Sequence, residues 1–151
     1  MIQTGSDQPN DALLSGFLKH AELQRQAVTR QNVPEANRQL EKLRPIANRL
    51  SATPEGRKGL EALLLDARPF VRQEAAKWAM AWNPERAIPV LGTLLVEEFG
   101  DQVTVDERLE LRYSARLTLY LHFGIRDFDR NKLIEPLRAY GIVLPRINRA
   151  S

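Results

Sequence analysis

Two aligned stretches constrain the fold of this chain more than any other feature. "VRQEAAKWAMAW" occupies residues 71–82 and "LRYSARLTLYLH" residues 111–122, an offset of 40. Val71 aligns with Leu111, Arg72 with Arg112, Ala75 with Ala115 and Ala79 with Leu119. Asp66 and Asp106 each stand six residues before the aligned arginine. A period near 40 belongs to stacked helical repeats, in which one helix pair buries its apolar face only against the next. The first stretch places Val71, Ala75, Trp78, Ala79 and Trp82 on one helical stripe, with Ala76 and Met80 roughly opposite. A helix apolar on two sides is packed on two sides, and its alanines let neighbouring helices approach closely.

The rest of the chain also reads as helix. Asn10 is placed as the cap of a first helix carrying Leu13, Leu14, Phe17, Leu18, Ala21 and Val28. A second helix starts near Pro34, and Pro45 is expected to kink or split it, because proline lacks an N–H and crowds the preceding turn. In "ATPEG" Thr53 caps and Pro54 takes the first helical position; this helix stops around 66–68. The next begins near Pro69 and ends at Asn83, which in turn caps the helix opened by Pro84. A helix from about Asp106 to His122 is closed by Gly124, and a last one from about Arg130 to Tyr140 is capped by Asp129 and stopped by Gly141. The apolar runs "LEALLL" and "LGTLLV" also align, but at an offset near 30. About ten extra residues therefore separate the helices of the second pair, the acidic stretch "VEEFGDQVTV", and repeat proteins display insertions as loops on one face. The domain boundaries expected are a flexible N-terminus at 1–9, one helical domain at 10–144 and a tail at 145–151.

Composition excludes several function classes. There is no cysteine among 151 residues, so disulfides, thiolate metal sites and cysteine nucleophiles are absent. No apolar run approaches the roughly 20 residues that span a bilayer, and the first ten residues lack the pattern of a secretory signal. A cytoplasmic location without membrane contact is the expectation. The net charge of +3 is small, but its distribution is uneven. Residues 97–110 hold six acids against one base, whereas 126–151 hold six bases against three acids.

The segment "LLLDARPFVRQEAA", with its turn aspartate and following Val-Arg, resembles a HEAT-like unit. With a helical pair ahead of it, the chain resembles a family of small bacterial HEAT-like domains of unknown function whose genes often neighbour polymorphic toxins. The resemblance covers about residues 10–95 and is looser after Val96. It implies an all-α fold: a right-handed stack of antiparallel helix pairs, a HEAT/armadillo-like α-solenoid of about seven helices. It also implies that Asp66 and Arg72 are structural, the aspartate bonding backbone N–H groups or an arginine of its own or a neighbouring repeat.

No catalytic constellation is visible. His20 and His122 lack an orienting partner nearby in sequence, "GRKG" lacks P-loop spacing, and Asp127 with Asp129 makes too few oxygen ligands for a cation. Trp78 and Trp82 are assigned to the core. No cofactor and no metal are expected. The candidate partner-binding residues are Glu97, Glu98 and Asp101 in the insertion, with Lys77, Tyr113 and Arg116 on the repeat helices. The leading expectation is a non-enzymatic protein-binding module, most concretely an immunity protein that neutralises a cognate toxin by occluding a basic active-site surface. The acidic loop would steer that encounter. The alternatives are a HEAT-like nucleic-acid-binding or repair protein, disfavoured by the acidic insertion, and a scaffold or regulatory subunit.

Overall fold

A computed structural model describes the backbone of residues 8–148 and the side chains of 10–148. Seven α-helices follow one another: α1 (Gln8–Thr29), α2 (Val33–Ser51), α3 (Pro54–Ala62), α4 (Pro69–Ala79), α5 (Pro84–Val96), α6 (Val105–Phe123) and α7 (Ile134–Arg138). Short 3-10 turns occupy Leu63–Leu65, Gly100–Gln102 and Arg130–Leu133, and no strand occurs among the described residues. Each helix from α1 to α5 packs on the next, which makes the expected all-α stack. In addition α1 reaches across to α4 and α6, and α7 lies on α5.

The apolar interior forms two adjoining clusters. One gathers Phe17, Leu43, Leu50, Leu60, Val71 and Leu111. The other gathers Ile88, Leu91, Leu94, Leu119, Leu133 and Leu137. Helices α4 and α6 feed both, Phe70 and Val71 on one side with Ala75, Ala76 and Ala79 on the other, then Leu111 with Ala115 and Leu119. They are the inner helices, as the two-sided apolar pattern requires. Each aligned pair, Val71 with Leu111, Ala75 with Ala115 and Ala79 with Leu119, is buried.

Local capping sets most of the boundaries. Thr53 Oγ1 accepts from Gly56 N at 3.0 Å, and Thr104 Oγ1 accepts from Glu107 N at 3.1 Å. Gly124 ends α6 with φ +71°, the left-handed conformation glycine adopts at no steric cost. Asp129 caps the 3-10 turn before α7 through Asn131 N, at 3.0 Å.

Several sequence expectations are corrected. Helix α1 begins at Gln8, so Asn10 lies inside it and does not cap it; residues 1–7 of the expected flexible terminus lie outside the described residues. Helix α2 is not split at Pro45. Pro45 is solvent-exposed, so the Glu41 carbonyl that loses its intrahelical partner can turn to water. Helix α4 ends at Ala79 rather than Asn83, and Trp82 sits in the turn beyond it. Asn83 occupies the cap position of α5 without capping, because its side chain donates instead to Glu61 Oε2 at 3.3 Å. The last helix is part 3-10, part α. Residues 145–148 have no regular structure yet are tied down, with Arg130 donating to the Pro145 carbonyl at 2.6 Å and Asn131 bonding both main-chain groups of Ile147.

The turn between α2 and α3 depends on a missing side chain. A Cβ on buried Gly56 would sit 2.0 Å from the Leu50 carbonyl oxygen. That contact is with backbone at the end of α2 and cannot be relieved by a rotamer change. Gly56→Ala is expected to destabilise the protein by about 2–3 kcal/mol in urea denaturation, although alanine is the better helix former.

Candidate interaction surface

The paired arginines of the repeat do the same work at two places. One guanidinium nitrogen of Arg72 donates to the main-chain oxygens of Asp66 at 3.0 Å and Ala67 at 3.3 Å, just past the α3 turn. Arg112 donates to the Leu94 oxygen at 3.4 Å and the Glu97 oxygen at 2.9 Å, at the end of α5. Each arginine thus satisfies carbonyls left open at the end of the preceding helical segment. The second nitrogen of Arg72 bonds both oxygens of Glu97, at 2.8 and 3.0 Å. Glu97 therefore receives Arg72 on its carboxylate and Arg112 on its carbonyl.

Asp66 does not pair with Arg72. It accepts the Arg68 backbone N–H at 2.9 Å and its guanidinium at 2.8 Å, and that guanidinium bond, foremost, holds Asp66 below the usual carboxylate range. Asp106 has a different place altogether. Helix α6 starts about one turn earlier in the repeat register than α4, so Asp106 falls within its first turn, where Gln31 Nε2 donates to it at 3.0 Å.

Helix α6 leaves a row of large side chains exposed. Val105, Leu109, Tyr113 and Leu121 are 59%, 61%, 53% and 85% exposed, and Leu117 is partly buried in line with them. Spaced by four, they form one ridge along the outer side of a helix whose opposite side is core. Phe128, also exposed, extends the ridge. Its backbone is left-handed at φ +54°, and its ring centroid lies 5.6 Å from that of Tyr120. A non-glycine residue held there costs on the order of 1 kcal/mol, so the loop is fixed in place by its surroundings.

The two flanks of the ridge carry opposite charge. On one side a polar cavity between α1, α4 and α6 is lined by Arg25, Glu74, Lys77, Glu107, Glu110 and Ser114. Glu107 is buried, 3.6 Å from Arg25, and its burial outweighs that cation and raises its pKa above the usual carboxylate range. On the other side lies a cleft of about 480 Å³ walled by Arg112, Arg116, Tyr120, Phe128 and Arg130. No family model, no curated protein and no solved structure matches this chain. What the surface can do rests on its own chemistry.

The residues singled out from the sequence are scattered by the fold. Tyr113 belongs to the ridge of α6, and Arg116 stands beside it. Lys77 belongs to the opposite flank, paired with Glu74 at 2.6 Å. Glu97 is half-buried and engaged by Arg72, whereas Glu98 and Asp101 are exposed on the loop. That loop is anchored by Phe99 and Val103 against the core, with the Arg112 guanidinium 5.5 Å from the centre of the Phe99 ring. Trp78 and Trp82 are partly buried and pack against the core, and Trp82 Nε1 donates to Glu61 at 2.7 Å. His20 Nδ1 lies 2.7 Å from Gln39 Oε1, and His122 is exposed. Asp127 pairs with Lys132 at 2.6 Å. Of the ridge, the sequence marks only Tyr113; Val105, Leu109, Leu121 and Phe128, and Arg130 beside them, emerge from the structure. The signal of the ridge was the spacing of four from Val105 to Leu121 on a helix already apolar at Leu111, Ala115 and Leu119.

Two outcomes follow. Arg72→Met is expected to lower stability by about 1–3 kcal/mol, because it leaves Glu97 and two carbonyls without their donor. The double variant with Glu97→Gln should cost less than the sum of the two singles in denaturant titrations. Glu107 binds its proton more tightly folded than unfolded, so it weakens folding at neutral pH and stops doing so as the pH falls through the unfolded carboxylate range. Glu107→Gln should therefore raise Tm near neutral pH and lose that advantage near about pH 4, read by thermal unfolding at both.

Proposed function

We propose that this chain is a non-catalytic protein-binding module that docks a second protein on the outer ridge of α6. The observation that carries this reading is the row Val105, Leu109, Tyr113 and Leu121, left more than half exposed on an inner helix of the stack. Contiguous apolar surface of this kind marks interaction sites, and fully covering one such side chain contributes about 1.5–3 kcal/mol. The partner's chemistry follows from the edge of the ridge. Arg112, Arg116, Arg126 and Arg130 have no carboxylate within salt-bridge distance among the described residues. A complementary partner offers an apolar strip bordered by carboxylates on that side.

Most concretely, such a module would act as an immunity protein that neutralises a cognate toxin by covering its active site, a role suggested by the toxin genes that often neighbour the family the sequence resembles. Glu98 and Asp101 supply a second, acidic contact for a basic patch on the same partner; Glu97 is excluded from that role by its bonds to Arg72. A nucleic-acid ligand is less well served, because Asp106 and Glu110 border the opposite flank of the ridge.

The test is complex formation with the product of a neighbouring gene, measured by gel filtration and surface plasmon resonance. Leu109→Asp with Leu121→Asp should abolish the complex while leaving the helical circular-dichroism spectrum intact. Glu98→Lys with Asp101→Lys should leave the complex but slow its association and steepen its salt dependence. Retention of the partner by the ridge variant sinks the reading. Concentration-dependent dimers of the wild type, lost in the ridge variant, would assign the ridge to a second copy of this chain instead.

A further inference from the structure

Most arginines near a carboxylate in this molecule are paired with one: Arg25, Arg38, Arg44, Arg68, Arg72, Arg86 and Arg138 each meet an acid. Among the described residues, the three that wall the cleft beside α6 meet none. Arg112 donates to two carbonyls and Arg130 to the Pro145 carbonyl, while Arg116 lines the cleft beside Tyr120. A guanidinium has five N–H donors, so each retains donors that no group among the described residues uses. Burial, and after it the Arg116 and Arg112 charges, depress the pKa of Arg130, and all three guanidiniums line the same cleft. The remaining wall is apolar, made by Leu95, Leu109, Phe128 and Ile147. Like charges set together between apolar walls repel, and an anion between them relieves that repulsion more strongly than it would in open water.

We propose that the cleft walled by Arg112, Arg116 and Arg130 is a carboxylate-binding subsite that receives an acidic side chain of a protein segment laid along the α6 ridge. This assignment rests on the docking reading of α6 and gives it a specificity element. The planar fork of arginine matches a carboxylate in two parallel hydrogen bonds, and Tyr120 and Phe128 close the cleft around the aliphatic part of an acidic side chain. Phosphate shares the charge, but an extended phosphate backbone lying over α6 would meet Asp106 and Glu110 across the ridge. A single carboxylate in the cleft would not.

The subsite is tested with the full chain and a blocked tetraglutamate peptide, followed through the arginine Nε–H signals in NMR. Inorganic phosphate and a short DNA duplex run as parallel arms. The peptide should shift the signals of Arg112, Arg116 and Arg130 saturably. Arg116→Gln with Arg130→Gln should weaken its binding by at least about tenfold, whereas Arg108→Gln, on the same helix but outside the cleft, should change it less than about twofold. Arg116→Lys with Arg130→Lys, which preserves charge and tolerates the fold, should still lose most of the affinity because the fork is gone. Absence of a saturable shift at these three arginines, equal weakening by Arg108→Gln, or binding of phosphate or DNA without the peptide would each overturn the assignment. The docking reading fails separately. Its ridge variant, Leu109→Asp with Leu121→Asp, reports on the partner complex, whereas the peptide titration reports on the cleft alone.

Discussion

Glu97 is the point where the two helix pairs are joined. Its carboxylate is held by Arg72 from the first inner helix, and its carbonyl by Arg112 from the second. Both arginines also satisfy carbonyls at the ends of the helical segments before them. A helix end is a cluster of open acceptors with partial negative charge, so a cation placed there is favourable before any tertiary contact is counted. The chain uses this local device twice and links the copies through one acidic residue. The relative position of α4, α5 and α6 follows from it, and with that position the direction in which α6 presents its outer side.

The surface of α6 is consequently ordered in strips. The buried strip holds Leu111, Ala115 and Leu119, and the outer ridge holds Val105, Leu109, Tyr113 and Leu121. Between them run an acidic flank facing α1 and α4 and a basic flank facing the 128–130 segment. A helix with a four-residue stride drifts about 40° per step around its axis, so all four strips wind in parallel. That geometry lets one helix combine core packing, an apolar contact and two charged borders of opposite sign.

Much of the fold could be read from sequence because it is dictated locally. Thr53 before Pro54, Asp129 before a helical turn, and Gly124 and Gly141 after one are each decided by a few neighbouring atoms. The repeat was legible because Val71, Ala75 and Ala79 recur as buried residues 40 positions on. What failed depended on competition between distant groups. Asn83 is drawn from its cap by Glu61, and Asp106 loses the role of Asp66 because α6 begins a turn sooner. The charge of Glu97 invited an interaction role, but its use is decided by Arg72, 25 residues earlier. The ridge of α6 was hidden for a different reason. Leucines at a spacing of four look the same whether a further helix covers them or not, and only the three-dimensional stack shows where the covering ends.

The contacts of α1 give the stack a property that a simple row of repeats lacks. In a linear array each unit touches only its neighbours, and the ends can fray while the middle holds. Here α1 packs on α3, α4 and α6 as well as on α2, so the first element of the chain is also a wall for the last inner helix. The two apolar clusters share α4 and α6 and cannot be dismantled in turn. Unfolding should then be all-or-none across the whole domain, and the molecule behaves as a closed globule cut from repeat-like parts rather than as a segment of a spring.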